Sequence, residues 1–318
     1  NSFSIDRPAY KPQDFYSYRD TTLLFEVITV SDPPEMQRSN PYSYFSYSSE
    51  DKEADNSHQA ESKETYFFNY RSAELIQVEY KRYHKYRHFP TIEKMWETEM
   101  NNIDEDTTFI VRSREMSDSG LVNTFSVVLT DTNSSRAIHI KMLQKHGALY
   151  TLTAISDTLN GPSEFISRFF QTFTPFNDTL VGWSVFDDKG TMYLNDLVAE
   201  DSTTRAQARQ SLSVLLFEDH HAPLLMERIA NPMYNEHTFA FRRNLIAELA
   251  DLKDPSIPGF LTDLYIKIGD TVNLQLSILR TLAKHKSEPA VKAFLKCLKT
   301  DLPLTPTEYE IDNIFYRL

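Results

Sequence analysis

The most reactive side chains of this sequence do not form a catalytic pattern. Cys297 is the single cysteine, and a cysteine activated by a histidine is a common enzymatic nucleophile. However, Cys297 falls among apolar residues of a helical pattern, where small buried cysteines are frequent. The sequence therefore favours a structural role for Cys297 over a catalytic one.

Two short polar motifs raise the question of metal binding. His220 and His221 are adjacent, so on a helix they would point in different directions, and the His-Glu-x-x-His spacing of zinc enzymes is missing. Residues 187–190, Asp-Asp-Lys-Gly, lack the alternating oxygen ligands and closing glutamate of a calcium loop. We expect a polar interhelical turn at the histidines, a turn between domains at 187–190, and neither a metal nor a cofactor.

A basic and aromatic segment is the best candidate for a binding surface. Residues 79–89 interleave lysines and arginines with aromatic rings, which could stack bases or hold an anion. The other interpretation is a strand end with one solvated face and one aromatic core face, and the acidity of the whole chain favours it. An interaction surface in the first half would comprise Tyr80, Arg82, Tyr83, Lys85, Tyr86 and Arg87.

Residues 42–47, Tyr-Ser-Tyr-Phe-Ser-Tyr, are similar to a carbohydrate-stacking ribbon, although an ordinary edge strand or ordered loop explains them better. A Ser-His-Asp elbow, a paired-carboxylate motif and a glycine-rich phosphate loop are all missing from the sequence. Glycine itself is scarce, with 7 residues in the chain. We therefore predict that the chain is not an enzyme.

The composition of the chain disfavours some classes of binding partner. The chain has 318 residues, a hydrophobic fraction of 41%, and a formal net charge of −12. Such a length suggests two domains. The negative charge disfavours nucleic acid and anionic lipid, and no apolar run approaches the roughly 18–20 residues that span a bilayer. We expect a protein partner.

The first 180 residues predict a β-rich α+β domain with an antiparallel sheet and two helices. A leader at 7–12 and a mobile acidic loop near 48–64 flank the first predicted strand. Helices are predicted at 91–100, with Thr91 as a cap, and at 165–173. Predicted strands lie at 22–30, 65–70, 74–83, 108–114, 122–130, 137–143 and 149–155.

Residues 181–318 predict an all-α domain with an internal repeat. Aligning residues 243–264 with 276–298 superposes the apolar positions at a spacing of about 33–34 residues. A weaker copy precedes them, and a final helix is expected to run through Tyr316. Two-helix units of this kind cannot bury their apolar faces alone, so they stack.

Residues 147–152, Gly-Ala-Leu-Tyr-Thr-Leu, lead to the aromatic stripe Phe-Ile-Ser-Arg-Phe-Phe-Gln-Thr-Phe at 165–173. With the order of predicted elements, this pattern resembles the Mog1/PsbP-like fold over about half the chain. The repeat array resembles a HEAT-like solenoid. Their succession is similar to the C-terminal part of large bacterial cell-envelope proteins that carry a TraB/GumN domain, whose metal-binding and catalytic pattern is missing here.

Taken together, these features predict a non-catalytic protein-interaction or scaffold fragment of a larger protein. The resemblance to TraB/GumN-associated proteins implies a periplasmic or envelope location and leaves one alternative, an accessory substrate-binding region of an enzyme. A third interpretation is a ligand pocket lined by the sheet, which would require a cleft with convergent polar groups.

Overall fold

The computed structural model of the protein describes residues 14–33, 60–104, 108–231, 239–269 and 271–303. The chain divides into two units, Asn1–Asp187 and Asp188–Leu318. The sequence places this division at residue 180. The first unit extends further because Val185 is fully buried in its core and Phe186 packs against the same cluster.

The first unit is an antiparallel α+β domain, as its sequence predicts. Its helices and strands, in chain order, are β1 (Tyr16–Asp20), β2 (Phe25–Thr29), β3 (Glu61–Asn69), β4 (Glu74–Arg82), α1 (Ile92–Asp104), β5 (Phe109–Asp118), β6 (Asn123–Asp131), β7 (Arg136–Lys145), β8 (Ala148–Asp157), α2 (Glu164–Thr172) and β9 (Thr174–Pro175).

Six strands form the main sheet, in the order β3-β4-β8-β7-β6-β5. The predicted meander accounts for β5 to β8, and the predicted hairpin β3–β4 joins it through antiparallel pairing of β4 with β8. Strand β5 is the outer strand on one side. Nine of its ten residues are exposed, and a bulge shifts its register with β6 between Val111 and Ser113.

The remaining strands form a separate three-stranded sheet, in the order β1-β2-β9. The sequence predicts β2 within residues 22–30 but neither of its neighbours. Strand β1 reads Tyr-Ser-Tyr-Arg-Asp and buries little, so it lacks the apolar alternation of a strand. Strand β9 has two residues, and one of them is Pro175, which normally argues against a strand.

The six-stranded sheet packs against a hydrophobic cluster on each face, because alternate residues of its inner strands enter different clusters. On one face, Tyr150 and its even-numbered neighbours in β8 pack with α2 and β2. On the other face, Leu149 packs with strand β6 and with Trp96 of α1. Thr91 caps α1 as expected, because its Oγ1 accepts a hydrogen bond from Lys94 N, and Ser163 caps α2 by accepting one from Ile166 N.

Several predictions concern residues outside the described ranges: the leader at 7–12, the tyrosine ribbon at 42–47, the acidic loop as far as residue 59, and the final helix through Tyr316. The last residues of the predicted acidic loop are described, and they differ from the expectation. Residues 61–64 belong to β3, because they pair in register with residues 79–82 of β4 and thereby satisfy their backbone groups.

The described part of the second unit is helical. Its helices are α3 (Lys189–Asp196), α4 (Ser202–Gln210), α5 (Ala222–Ala230), α6 (Phe239–Glu248), α7 (Ile257–Ile268), α8 (Val272–His285) and α9 (Glu288–Thr300), with short 3-10 turns at 212–214, 219–221 and 249–251. Among the helices of the described ranges, none is both long and apolar enough to cross a membrane.

These helices pack in a regular order. Helices α3, α5, α7 and α9 contact one another in succession, and α4, α6 and α8 contact members of that row, with α6 also against α8. Hydrogen bonds recur at a sequence separation of 34, close to the predicted repeat length. Three such bonds join Arg228 to Leu194, Lys253 to Asp219, and Ser277 to Arg243.

Candidate functional site

The tyrosines of the predicted interaction surface are core residues. Tyr80 and Tyr83 are 5% and 4% exposed and belong to clusters on opposite faces of the main sheet, while Tyr86 is fully buried. The Tyr83 hydroxyl donates to Glu99 Oε1 over 3.0 Å, and burial beside this carboxylate raises the pKa of Tyr83. These three rings therefore do not present a common surface to a partner.

The basic residues of the same segment are also engaged within the first unit. Lys85 is 5% exposed, and its ammonium lies over the ring of Trp183, 4.7 Å from the centroid. The Arg87 guanidinium lies over the Phe89 ring, and a guanidinium nitrogen of Arg82 is 3.4 Å from a carboxylate oxygen of Glu61. The structure thus disperses the six predicted residues and does not form them into one exposed patch.

Cys297 is fully buried in α9. Burial raises the pKa of its thiol to about 11, despite opposing contributions from Thr262 and Lys296. The thiolate is the reactive form, so Cys297 is protonated and unreactive near neutral pH. This geometry agrees with the structural role that the sequence favours.

The two adjacent histidines meet at one carboxylate. His221 Nε2 lies 2.7 Å from Asp188 Oδ1, and His220 Nε2 lies 3.4 Å from Asp188 Oδ2. Their ring centroids are 3.8 Å apart. The predicted interhelical turn is present as a tight 3-10 turn at residues 219–221, and this geometry, unlike that of a regular α-helix, brings both rings to the same side.

Asp188 is also the N-cap of α3. Its carboxylate accepts hydrogen bonds from the backbone nitrogen and the hydroxyl of Thr191, at 3.1 and 2.6 Å. Partial burial opposes ionisation of Asp188, but the hydrogen bonds from Thr191 and His221 outweigh it and hold the pKa of Asp188 well below its usual range. The predicted turn at 187–190 is therefore the capped start of a helix.

The cluster of Asp188, His220 and His221 brings three possible metal-ligand groups together, with their atoms within 4.8 Å of one another. The hydrogen bonds of His221 nevertheless oppose metal binding. Its Nδ1 accepts the backbone N–H of Glu218 over 2.8 Å, so the proton of a neutral ring must reside on Nε2, which donates it to Asp188. Neither nitrogen retains a lone pair for a cation, and the cluster acts as a clamp between α3 and the 3-10 turn.

A basic surface on α8 and α9 escaped the sequence interpretation. Residues 272–300 contain six lysines and arginines and one acid, Glu288, for a net charge of +5 in a chain of net charge −12. All six basic side chains are exposed. They are Arg280, Lys284, Lys286, Lys292, Lys296 and Lys299. A count of charge per predicted helix would have revealed this surface.

Three of these lysines lie in a row on α9. Lys292, Lys296 and Lys299 follow the i, i+4, i+7 spacing that places side chains on one helical face. Leu295 lies on the same face and is 47% exposed. We call these four residues the α9 lysine row. With a rise of 1.5 Å per residue, its charges extend over about 10 Å of the helix.

Within the part of the chain that the structure describes, the ion pairing of the row is weak. Lys292 forms an ion pair of 2.6 Å with Glu288, and both side chains are about three-quarters exposed. Such exposed pairs contribute about 0–1 kcal/mol, so the pair can exchange at little cost. The row therefore offers three cations around one apolar side chain to an external group.

Comparison with known proteins gives a weak structural similarity. Neither a protein-family model nor a curated protein sequence matches the chain. Among solved structures, the chain is similar to the solution structure of cyanobacterial PsbP from Synechocystis sp. PCC 6803. The match has a TM-score of 0.36 and 10% sequence identity, and it covers 54% of this chain and 98% of the other.

Proposed function

We propose that the chain is a non-catalytic protein-interaction module that binds an acidic segment of a partner protein through the α9 lysine row. The observation that carries this proposal is the exposed alignment of Lys292, Lys296 and Lys299 around Leu295. The four residues together match an acidic segment that also carries an apolar side chain.

Charge supports a partner of this chemistry. The net charge of +5 over residues 272–300 is confined to two helices of an acidic chain. A negative partner is attracted to this face and repelled by the rest of the molecule, so the field selects both the partner and its orientation. Exposed Leu295 adds an apolar contact that charge alone would not provide.

Protein is favoured over nucleic acid and over an anionic membrane for two reasons. The total charge of −12 repels extended polyanions, which would also approach the acidic regions. Membrane-surface helices combine a basic face with a wide apolar face, whereas the exposed face of α9 offers Leu295 alone among its large apolar side chains. A short acidic segment needs only the length of the row.

The regular packing of α3 to α9 leads us to propose further that the second unit is HEAT-like. The recurrence of hydrogen bonds at a separation of 34 residues supports this interpretation. In such arrays the exposed helix faces commonly bind proteins. The resemblance to TraB/GumN-associated envelope proteins stays a prediction from the sequence.

The proposal can be tested with a synthetic probe. The probe is a helical peptide with glutamates at i, i+4 and i+7 and one leucine between them, and its affinity for the full chain is measured by fluorescence anisotropy at two salt concentrations. The variant K292Q/K296Q/K299Q removes three exposed charges, each worth about 0.2–1 kcal/mol in an ion pair. We expect the triple variant to bind the peptide about ten-fold more weakly than the unaltered chain does. We also expect high salt to weaken binding of the peptide.

A matched variant controls for net charge. Lys63, Lys94 and Lys253 are exposed lysines elsewhere in the chain, and K63Q/K94Q/K253Q makes the same change in total charge. It should bind the peptide as the unaltered chain does. Equal losses in both variants, or tighter binding of duplex DNA or phosphatidylserine vesicles than of the peptide, would overturn the proposal.

A further inference from the structure

A groove of about 490 Å³ opens on one face of the main sheet in the first unit. Its floor is formed by β6 and β7, and its walls by the turn at 119–122 and the segment 173–177 that follows α2. The volume lies within the range of about 300–1,000 Å³ found for small-molecule sites. The groove is separate from the α9 lysine row, which belongs to the second unit.

Half of the residues that line the groove are apolar, and its only charge is a lysine. Leu121, Leu143, Phe173 and Pro175 contribute apolar surface, and Lys141 is the one residue with an ionisable side chain among those that line it. The other lining residues carry hydroxyl or amide groups or are apolar. A ligand would therefore meet one cation beside apolar side chains and uncharged hydroxyl and amide groups.

The Lys141 ammonium makes one hydrogen bond to a described residue and can donate more. Its ammonium donates to the carbonyl oxygen of Phe170, in the last turn of α2, at 2.5 Å. A lysine ammonium has three donors, so two further hydrogen bonds can be made. Partial burial lowers the pKa of Lys141, because no carboxylate among the lining residues compensates its charge.

We propose that this groove binds a small amphipathic monocarboxylate. The carboxylate would accept hydrogen bonds from the Lys141 ammonium, and the apolar body would lie against Val122 and against Leu121, which is 63% exposed. A single cation matches one negative charge, whereas a phosphate group would call for more donors or a second cation. The apolar side chains of the groove favour a ligand with an apolar body over a small, fully hydrated anion.

Lys141 also has a local role, since a cation near the C-terminus of α2 is stabilising in itself. This role requires no ligand, and a test must therefore separate the two. Ligand binding should raise the pKa of Lys141, because an anion at the ammonium favours the charged form. A purely structural lysine would keep its pKa when the probe is added.

The probe is sodium octanoate, with octanol as the neutral comparison. Methyl signals of Leu121, Val122 and Leu143 are followed by NMR in the full chain, and the pKa of Lys141 is measured from its labelled side-chain carbon. We expect octanoate to shift these methyl signals and to raise the pKa, and octanol to bind at least ten-fold more weakly. The variant K141M should weaken octanoate binding about ten-fold.

Two further variants keep the test decisive. K63M makes the same replacement at an exposed lysine of β3 and should leave octanoate binding unchanged. Leu121 is 63% exposed at the rim, so L121D should fold normally and weaken octanoate by repulsion, even if K141M does not fold. Equal binding of octanol and octanoate, an unchanged Lys141 pKa, or an unaffected L121D variant would overturn the proposal.

Discussion

Replacing Gly190 by alanine tests the clamp between α3 and the 3-10 turn. A Cβ atom built on Gly190 would lie 2.4 Å from His221 Nε2, where no real Cβ contact is found. His221 is 4% exposed, so its ring has little room to move. The new methyl group should displace the ring and break the hydrogen bond to Asp188.

The size of the effect follows from the bonds that are lost. A hydrogen bond to a charged group contributes about 1.5–3 kcal/mol, and a weakened N-cap adds about 0.5–1 kcal/mol. Alanine recovers at most about 1 kcal/mol of helix propensity relative to glycine. We therefore expect G190A to lower the free energy of unfolding of the second unit by about 1–3 kcal/mol.

Gly259 provides a matched control within the same unit. It lies in α7, and a Cβ atom there would meet nothing within 4 Å. The same replacement should raise the free energy of unfolding by about 0.5–1 kcal/mol through helix propensity alone. The two glycine-to-alanine variants are thus expected to change stability in opposite directions.

Urea unfolding with two spectroscopic signals can measure both variants. Circular dichroism at 222 nm follows helices, most of which lie in the second unit among the described residues. The two tryptophans, Trp96 and Trp183, are in the first unit, so their fluorescence gives an internal reference. Stabilisation by G190A, or a shift of the fluorescence transition as large as that of the dichroism, would refute the reasoning.

Two other predictions concern single side chains. D188N should lower the free energy of unfolding of the second unit by about 1 kcal/mol at pH 7, because the cap is weakened. Since the pKa of Asp188 is lowered in the folded state, the difference in stability between D188N and the unaltered chain should shrink below about pH 4. Equal differences at pH 7 and pH 3 in urea titrations would contradict this prediction. C297S should lower the free energy of unfolding by about 1–3 kcal/mol because it buries a hydroxyl group, whereas C297A should lower it less. The prediction is checked by the melting temperatures, of which that of C297A should be the higher.

The sequence predicts the elements of the first unit best where apolar residues alternate. Strands β6 to β8 and the stripe of α2 carry this signal, because each has one or two buried faces. Strand β1 does not, since its five residues pair with β2 but bury little. Its existence depends on a partner strand, and hydropathy does not record such pairing.

The candidate sites were harder to predict for a different reason. Tyr80 and Tyr83 are both aromatic, but they pack into clusters on opposite faces of the main sheet. Strand β4 ends between them, at Arg82, and the position of this end determines the direction of the Tyr83 side chain. The α9 lysine row was overlooked because the repeat was defined by its apolar positions. The polar positions of the same helix carry separate information, and charge counted by helix retrieves it.

The exposed outer strand β5 has a consequence for self-association. Among the described strands, β5 pairs with β6 alone, and an open edge of this length can act as a template for other chains. Ile110 and Met116 would add apolar surface to such pairing. The bulge after Val111 disturbs the spacing of the backbone groups, and the charges of Arg114 and Glu115 accompany it. These features are expected to blunt the edge against pairing with the strands of other chains.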